Sequence, residues 1–204
     1  VLSVSAYFQS DILCGGSLAS HSDIRIKRDI RDIQDATKTL MKLRPVRYGM
    51  VDYLTKPDDD IGFIAQEVQE AVPEAVTYST DFVPTIYDKF PYTTGDGKLI
   101  VHASLSSKLQ GACKLRVIFT NDGQKDLTVS SLSESYVECE YDCTNIPSTG
   151  VVFVYGPQVD DMLSLDKNKL FTVCVKAVQE MAGRLDSITA SLEALNERLS
   201  RAGI

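Results

Sequence analysis

The sequence holds few of the residues on which common enzymes and metal sites depend. Its 204 residues include no Trp, two His and five Cys. None of the cysteines forms a Cys-x-x-Cys pair, which excludes a zinc site of the usual spacing, and their odd number favours reduced thiols over paired disulfides. Two histidines also leave few candidates for the base of a His-containing catalytic triad. We therefore expect no metal and no cofactor.

Long apolar runs and a surplus of cations are also missing. The chain has no stretch of about 18 apolar residues, and its start lacks the basic region and unbroken apolar core of a signal peptide. It carries 21 basic and 28 acidic side chains, a net charge of −7. Because nucleic-acid surfaces need an excess of Lys and Arg, the sequence predicts neither a nucleic-acid partner nor a membrane segment.

What remains is a chain of globular composition. At 44% hydrophobic residues it can bury one sizeable core or two small ones. Shifts in composition along the chain divide it into four regions, which together predict an α+β fold. They are the end of a β-rich structure at residues 1–21, a compact helix and strand core at 22–78, an inserted antiparallel β module at 79–163 and a C-terminal helix at 164–204.

Local patterns predict the elements of the core at 22–78. Apolar residues recur at three- and four-residue steps from Asp29 to Leu43, which predicts a helix that Pro45 ends. The stretch VRYGMVDYL is typical of a strand, and KPDDD of a turn. The stretch IGFIAQEVQEAVPEAV predicts a short strand that leads into a helix ending before Pro73.

The β module differs from the core in its sequence pattern. It contains short β-prone runs separated by turn signals at the spacing of hairpins. The runs are KLIVHASL, CKLRVIFT, LTVSSL and GVVFVYG, and the turn signals are TTGDG, NDGQKD and NIPSTG.

The last region carries the clearest periodicity, a heptad repeat sustained over about four heptads. Leu185 at an a position with Ile188 at the following d position favours three or more strands over two. A single amphipathic helix on its own core would have a wider stripe with a period of 3.6, so the pattern predicts a homo-oligomeric coiled coil, a trimer. The a positions are Phe171, Val178, Leu185, Leu192 and Leu199, and the d positions are Cys174, Met181, Ile188 and Leu195.

A polar cluster, SDIRIKRDI, stands where the core begins. Ser22 and Asp23 are residue types that cap helices, since their short side chains accept hydrogen bonds from free backbone amides. The alternative is a Ser/Lys dyad, in which a neutral Lys27 amine takes the proton of the Ser22 hydroxyl. A lysine acts as a base at pH 7 only if desolvation or neighbouring cations lower its pKa, and Arg25 and Arg28 flank Lys27. Spacing alone leaves both interpretations open.

Four segments in the right order carry a resemblance to a known family. SDIRIKRDI matches the S-D-x-R-x-K-x-x-I signature that opens the C-terminal intramolecular chaperone domain of phage tail spikes and endosialidases. LMKLRPVRYGM resembles the family's L-x-x-L-x-P-V-x-Y segment, and IGFIAQEVQEAVPEAV resembles its G-x-I-A-Q-E-V with a following P-E-x-V. LDKNKLFTVCVKAVQEMAGRLDSITASLE is similar to its closing helix, which runs into a coiled coil.

The resemblance implies a self-cleaving serine endopeptidase that acts once. In the family this domain trimerises a β-stranded fibre or spike, templates its folding and then cuts itself off. Carried over by position, Ser22 is the nucleophile, Lys27 is the general base, and the scissile bond joins His21 to Ser22. The implied partners are two further copies of the chain and the upstream fibre segment. The implied location is the virion precursor in the host cytoplasm during assembly, with the released chaperone absent from the mature particle.

Four further motif residues have less certain roles. Asp23 could cap the turn or orient Lys27, with capping favoured, and Arg25 could polarise the scissile carbonyl. Gln66 and Glu67 match the family's A-Q-E, where a helix start and a site role are equally supported.

Two departures from the phage pattern leave other interpretations open. The module at 79–163 stands where phage members commonly have a much shorter connection, and its edges resemble members from large DNA viruses of eukaryotes. A similar autoprocessing segment occurs in the animal myelin regulatory factors, but no transmembrane helix follows the coiled coil here. The alternatives to a self-cleaving chaperone are a trimerisation knob that never cuts and a receptor-binding tip built on the β module.

Overall fold

The computed structural model describes residues 20–52, 59–109 and 111–202. The chain forms two compact units, residues 1–34 and 35–204. In the described part of the first unit, residues 20–34, the regular element is one 3₁₀ turn at Ile24–Ile26. The β-rich structure expected at residues 1–21 lies almost wholly outside the described residues.

The prediction of a helix from Asp29 to Leu43 is wrong over most of that range. The structure forms α1 over Ala36–Leu40 only. Asp29 and Asp35 adopt left-handed backbone angles, with φ of 54° and 52°, and such residues interrupt a right-handed helix. Ile30, expected on the apolar face of the helix, is 66% exposed.

The second half of the predicted core is confirmed. β1, Val46–Tyr48, pairs antiparallel with β2, Asp60–Gly62, and α2 covers Ala65–Ala71. A 3₁₀ turn at Pro73–Ala75 follows, because proline ends α2 and is well accommodated in the first turn of the next element. The turn predicted at KPDDD falls largely on residues outside the described part of the chain.

The β module contains more strands than the sequence predicted. The predicted runs correspond to β5, β6, β7 and β9, and three further strands precede or separate them. The strands are β3 at Val76–Phe82, β4 at Asp88–Gly95, β5 at Lys98–Val101, β6 at Lys114–Phe119, β7 at Gly123–Leu132, β8 at Val137–Glu140 and β9 at Thr149–Leu165.

Strand β9 closes the module into a barrel. Its 17 residues pair with β4 over Thr149–Val154 and with β6 over Phe153–Pro157. The ring then runs β9-β4-β5-β8-β7-β6 and returns to β9, with every described pairing antiparallel. At the point where β9 leaves the barrel, a Cβ on Gly156 would lie 1.9 Å from the carbonyl oxygen of Val83, so only glycine fits there.

The remainder of β9 connects the barrel to the small core. Residues 158–165 pair with β3, from Phe82 opposite Gln158 to Val76 opposite Leu165. The chain therefore leaves the small core along β3 and returns to it along β9, side by side. This arrangement supports the description of the β module as an insertion.

Each part has its own apolar core. The barrel interior is filled by inward residues of all six strands, among them Leu99, Val117, Val137 and Val152 at 0% exposure. The second core joins elements from both sides of the insertion, and no charged or polar residue is buried in either core within the described residues. Its members are Ala36, Val68, Val72, Ala75, Val76, Leu170, Val173 and Ala177.

The predicted C-terminal helix is present as α3, Lys167–Arg201. Asp166 caps it, accepting a hydrogen bond from the Asn168 N–H at 3.0 Å. The first turns bury Leu170, Val173 and Ala177 against the second core. The side chains at the heptad positions do not belong to this core. Eight of the nine are between 39% and 68% exposed, and the ninth, Cys174, is partly buried. The helix thus has one face bound to its own chain and a separate apolar seam.

A carboxylate of α3 caps α1 across a long stretch of sequence. Glu180 accepts hydrogen bonds from the N–H of Thr37 at 2.9 Å, the hydroxyl of Thr37 at 2.7 Å and the N–H of Ala36 at 3.0 Å. The side chain of Asp35, which precedes α1, makes no capping bond. The bonds from Thr37 and Ala36 lower the pKa of Glu180 to about 2.

We expect Glu180→Gln to destabilise the fold in a pH-dependent way. A lowered pKa means that the stabilising effect is complete above the ordinary value near 4.5 and is lost as the pH falls towards about 2. Thermal unfolding followed by circular dichroism should show a lower midpoint for the variant at pH 7 and a gap that shrinks between pH 4.5 and 2. Glu193→Gln, on an exposed part of the same helix, is the control and should match wild type. A gap that stays constant down to pH 2 would contradict this assignment.

Candidate active site

The motif SDIRIK folds into a single 3₁₀ turn. The Ile26 N–H donates to the Asp23 carbonyl at 3.2 Å, and the Lys27 N–H donates to the Ile24 carbonyl at 3.1 Å. Asp23 is the N-cap and accepts a hydrogen bond from the Arg25 N–H at 2.8 Å. The helix-cap interpretation of Asp23 therefore describes its position in the structure.

This turn brings the two predicted catalytic side chains together. Lys27 Nζ lies 2.7 Å from Ser22 Oγ, within hydrogen-bond distance. Ser22 precedes the cap and Lys27 ends the turn, so the bend that the five-residue separation requires is the 3₁₀ turn itself. An ammonium at this distance donates to the hydroxyl, whereas a neutral amine can accept its proton, which is the contact that a nucleophile and its base need.

Asp23 and Arg25 form a second pair inside the same turn. Arg25 Nε donates to Asp23 Oδ1 at 3.0 Å, and Arg25 Nη2 donates to Oδ2 at 2.7 Å, a two-pronged contact. The hydrogen bonds from the Arg25 guanidinium lower the pKa of Asp23 most, and the bond from the Arg25 backbone N–H lowers it further. Asp23 in turn raises the pKa of Arg25. Both side chains stay solvent-accessible, at 44% and 85% exposed.

The electrostatic surroundings of Lys27 differ from the expectation. Arg25 and Arg28 were expected to crowd Lys27 with positive charge, but each has a carboxylate partner. Arg25 pairs with Asp23, and Arg28 Nε lies 3.7 Å from Asp29. Ser22 and Lys27 are both exposed in the single chain.

The other predicted site residues lie in the second unit or on the exposed surface. Gln66 and Glu67 belong to the first turn of α2, where Gln66 is exposed. Glu67 accepts a hydrogen bond from Arg44 Nε at 3.1 Å and a second from Arg44 Nη2. Arg44 lowers the pKa of Glu67. His21, on the N-terminal side of the expected scissile bond, is exposed.

Sequence reasoning missed the pairing of Asp23 with Arg25. Residues two positions apart lie on different faces of an α-helix, the element predicted from nearby Asp29 onward, whereas the tight turn brings the two side chains together. In the described ranges we find no cluster of three potential metal ligands and no helix with the length and apolarity to cross a membrane.

Comparison with known proteins confirms the resemblance. Residues 22–77 match the model of the family described as Chaperone of endosialidase, Peptidase_S74, and the match begins at Ser22. The chain is also 25% identical over 230 aligned residues to the uncharacterized protein VP1 of Micromonas pusilla reovirus. That alignment covers 88% of this chain and 12% of VP1.

The two comparisons locate the resemblance within the chain. The viral relative supports a viral origin, and because it is a reovirus protein, the expectation of a large DNA virus stays a prediction. The name and description of the family are those of a peptidase and a chaperone. Residues 22–77 thus resemble the chaperone of endosialidase family, within a chain that is similar over most of its length to a viral protein.

Proposed function

We propose that this chain is an intramolecular chaperone that trimerises, templates the folding of an upstream viral fibre and releases itself by cutting the bond between His21 and Ser22. The observation that carries the proposal is the 2.7 Å separation of Ser22 Oγ and Lys27 Nζ at the start of the family match. Both atoms lie beside the peptide bond that the reaction breaks.

The reaction needs only groups of this turn and one water molecule. Ser22 Oγ attacks the carbonyl carbon of His21 while its proton passes to the neutral Nζ of Lys27. The bond from that carbon to the Ser22 nitrogen then breaks, and the lysine ammonium returns a proton to the leaving amine. The result is an ester of His21 on Ser22 Oγ. Water hydrolyses the ester, giving a chain that ends in the His21 carboxylate and a chain that begins at Ser22.

Assembly is the step that activates the lysine. An exposed lysine is protonated at neutral pH, and removal of water lowers the pKa of a lysine. In the single chain Lys27 is exposed, so desolvation must come from other copies or from the fibre. Cleavage then reports that three chains have come together at the foot of the fibre.

The apolar seam of α3 supports assembly through a coiled coil. Its heptad side chains face away from the chain's own core, and Leu185 with Ile188 favours three strands over two. Holding three chains in register reduces the entropic cost of slow, non-local strand pairing in the fibre. Cutting afterwards removes the template and traps the fibre kinetically. The cut takes place in the host cytoplasm during assembly of the virion precursor, and the mature particle lacks residues 22–204.

The coupling of cleavage to assembly gives a direct test. Unfolded chain 1–204 is refolded by dilution to a series of protein concentrations, and the fraction converted to the fragment 22–204 is measured on denaturing gels after a fixed time. We expect the fraction to rise steeply with concentration, since three chains must meet. Equal cleavage at every dilution would contradict the requirement for assembly. A chain that trimerises by sedimentation yet shows no cleavage would be the non-cleaving knob.

A further inference from the structure

The 3₁₀ turn that carries the dyad has no apolar support within the described part of its unit. Ile24 and Ile26 are 72% and 66% exposed, and none of the residues of the turn is buried. A one-turn 3₁₀ helix has few backbone bonds, here from Ile26 and Lys27. Side-chain hydrogen bonds within the motif therefore add to the two backbone bonds that close this turn.

Asp23 supplies these bonds. Its carboxylate accepts three N–H donors, the Arg25 backbone at 2.8 Å, Arg25 Nε at 3.0 Å and Arg25 Nη2 at 2.7 Å. The backbone bond fixes the start of the turn as an N-cap, and the guanidinium bonds hold Arg25 folded back onto the residue that follows the nucleophile. Both anchor points lie between Ser22 and Lys27 in the chain.

We propose that Asp23 and Arg25 are positioning residues for the Ser22–Lys27 dyad, acting as a clamp that keeps the turn closed so that Nζ and Oγ stay in contact. This inference rests on the proposed function and adds to it a role for the two remaining fixed letters of the S-D-x-R-x-K signature. It assigns the Arg25 guanidinium to Asp23 and not to the scissile carbonyl. The clamp also explains the spacing of the signature, because the cap Asp23, the guanidinium of Arg25 and the amine of Lys27 all belong to one turn.

The clamp also sets the charge next to the lysine. With both partners present the pair is neutral overall. Asp23→Asn keeps an amide oxygen that can cap but leaves the Arg25 charge uncompensated, which favours loss of a proton from a nearby base. Arg25→Ala leaves the Asp23 charge uncompensated, which disfavours that loss. The other ionisable side chains of residues 20–34 are unchanged in both variants, namely His21, Arg28, Asp29, Arg31 and Asp32.

The test measures the first-order rate of cleavage of chain 1–204, assembled at high concentration, as a function of pH. We expect Asp23→Ala, which loses both cap and pair, to be slower by roughly fivefold or more, because a turn without its cap is open for more of the time. Asp23→Asn should recover most of that loss. The acidic limb of the rate profile should move to lower pH in Asp23→Asn and to higher pH in Arg25→Ala. It should return to the wild-type position in the double variant Asp23→Asn, Arg25→Ala.

Arg47→Ala is the matched control, because Arg47 is 71% exposed, pairs with Asp59 at 2.9 Å and lies outside the turn. It should leave the rate within about twofold of wild type, as expected of a weak surface ion pair. The clamp proposal, but not the proposed function, would be overturned by a wild-type cleavage rate in Asp23→Ala. It would also be overturned if the acidic limb of the rate profile moved in the same direction in Asp23→Asn and Arg25→Ala. Absence of cleavage in the wild type would overturn the proposed function together with the clamp. If Asp23→Ala unfolds at a lower temperature than wild type, Asp23→Asn and Arg25→Ala decide the question.

Discussion

Ser22→Ala is expected to abolish release of the fragment 22–204 while leaving the fold and the oligomeric state unchanged. The reaction has no other nucleophile at the scissile bond, because the ester intermediate forms on Ser22 Oγ. The side chain of Ser22 is exposed and contacts Lys27 Nζ, so its removal costs the fold little. Gel analysis after refolding should show full-length chain only.

Lys27→Ala is expected to give nearly the same result for a different reason. The serine hydroxyl remains, but nothing takes its proton, and a general base contributes about 10² to 10⁴ in rate. Two controls separate these effects from nonspecific damage. Ser20→Ala and Lys42→Ala change exposed residues of the same types near the site in sequence, and both should cleave at the wild-type rate. Cleavage at the His21–Ser22 bond in Ser22→Ala would refute the mechanism.

Paired substitution of Leu185→Asp and Ile188→Asp is expected to convert the proposed trimer into monomers. These side chains are 63% and 57% exposed in the single chain and occupy adjacent a and d positions of the seam. Three copies would place three carboxylates in each of two adjacent apolar layers, where unpaired charges carry a large desolvation cost. Sedimentation equilibrium should give the mass of one chain, and cleavage should fall with assembly.

The matched control uses the opposite face of the same helix. Ala190 and Ala194 are exposed residues outside the a and d positions, so Ala190→Asp with Ala194→Asp adds the same charge without touching the seam. That variant should remain trimeric and cleave normally. A trimeric Leu185→Asp, Ile188→Asp variant would show that the chains associate through another surface.

Patterns that depend on near neighbours in the sequence predicted the structure well. The heptad repeat predicted a helix that the structure extends over Lys167–Arg201, and the alternation around Ala65 predicted β2 and α2. The turn before β5 was predicted from TTGDG, and Asp96 and Gly97 both adopt positive φ there, 51° and 71°.

Features that depend on distant partners escaped prediction. The apolar spacing from Asp29 to Leu43 suits a helix, but it does not reveal that Asp29 and Asp35 adopt left-handed backbone angles. The cap on α1 comes from Glu180, 143 residues away from Thr37. Closure of the barrel depends on β9 pairing with both β4 and β6, and β4 carries Pro91, a residue that local rules place outside strand interiors.

The candidate site shows the same division. Residue types and spacing allowed either a cap or a dyad at SDIRIK, and the turn accommodates both, with Asp23 as the cap and Lys27 against Ser22. Spacing alone left these alternatives open because a separation of five residues brings side chains together only in certain backbone conformations. The pairing of Arg25 with Asp23 depends on the same conformation.

Intact-mass analysis of wild-type chain 1–204, refolded at high concentration in H₂¹⁸O, tests the central claim most directly. The mechanism predicts two products, residues 22–204 with an unmodified N-terminal serine and residues 1–21 with one ¹⁸O in the new carboxylate of His21. The label enters because water hydrolyses the ester in the second step. A single species of 204 residues, or products divided at a bond other than His21–Ser22, would contradict it.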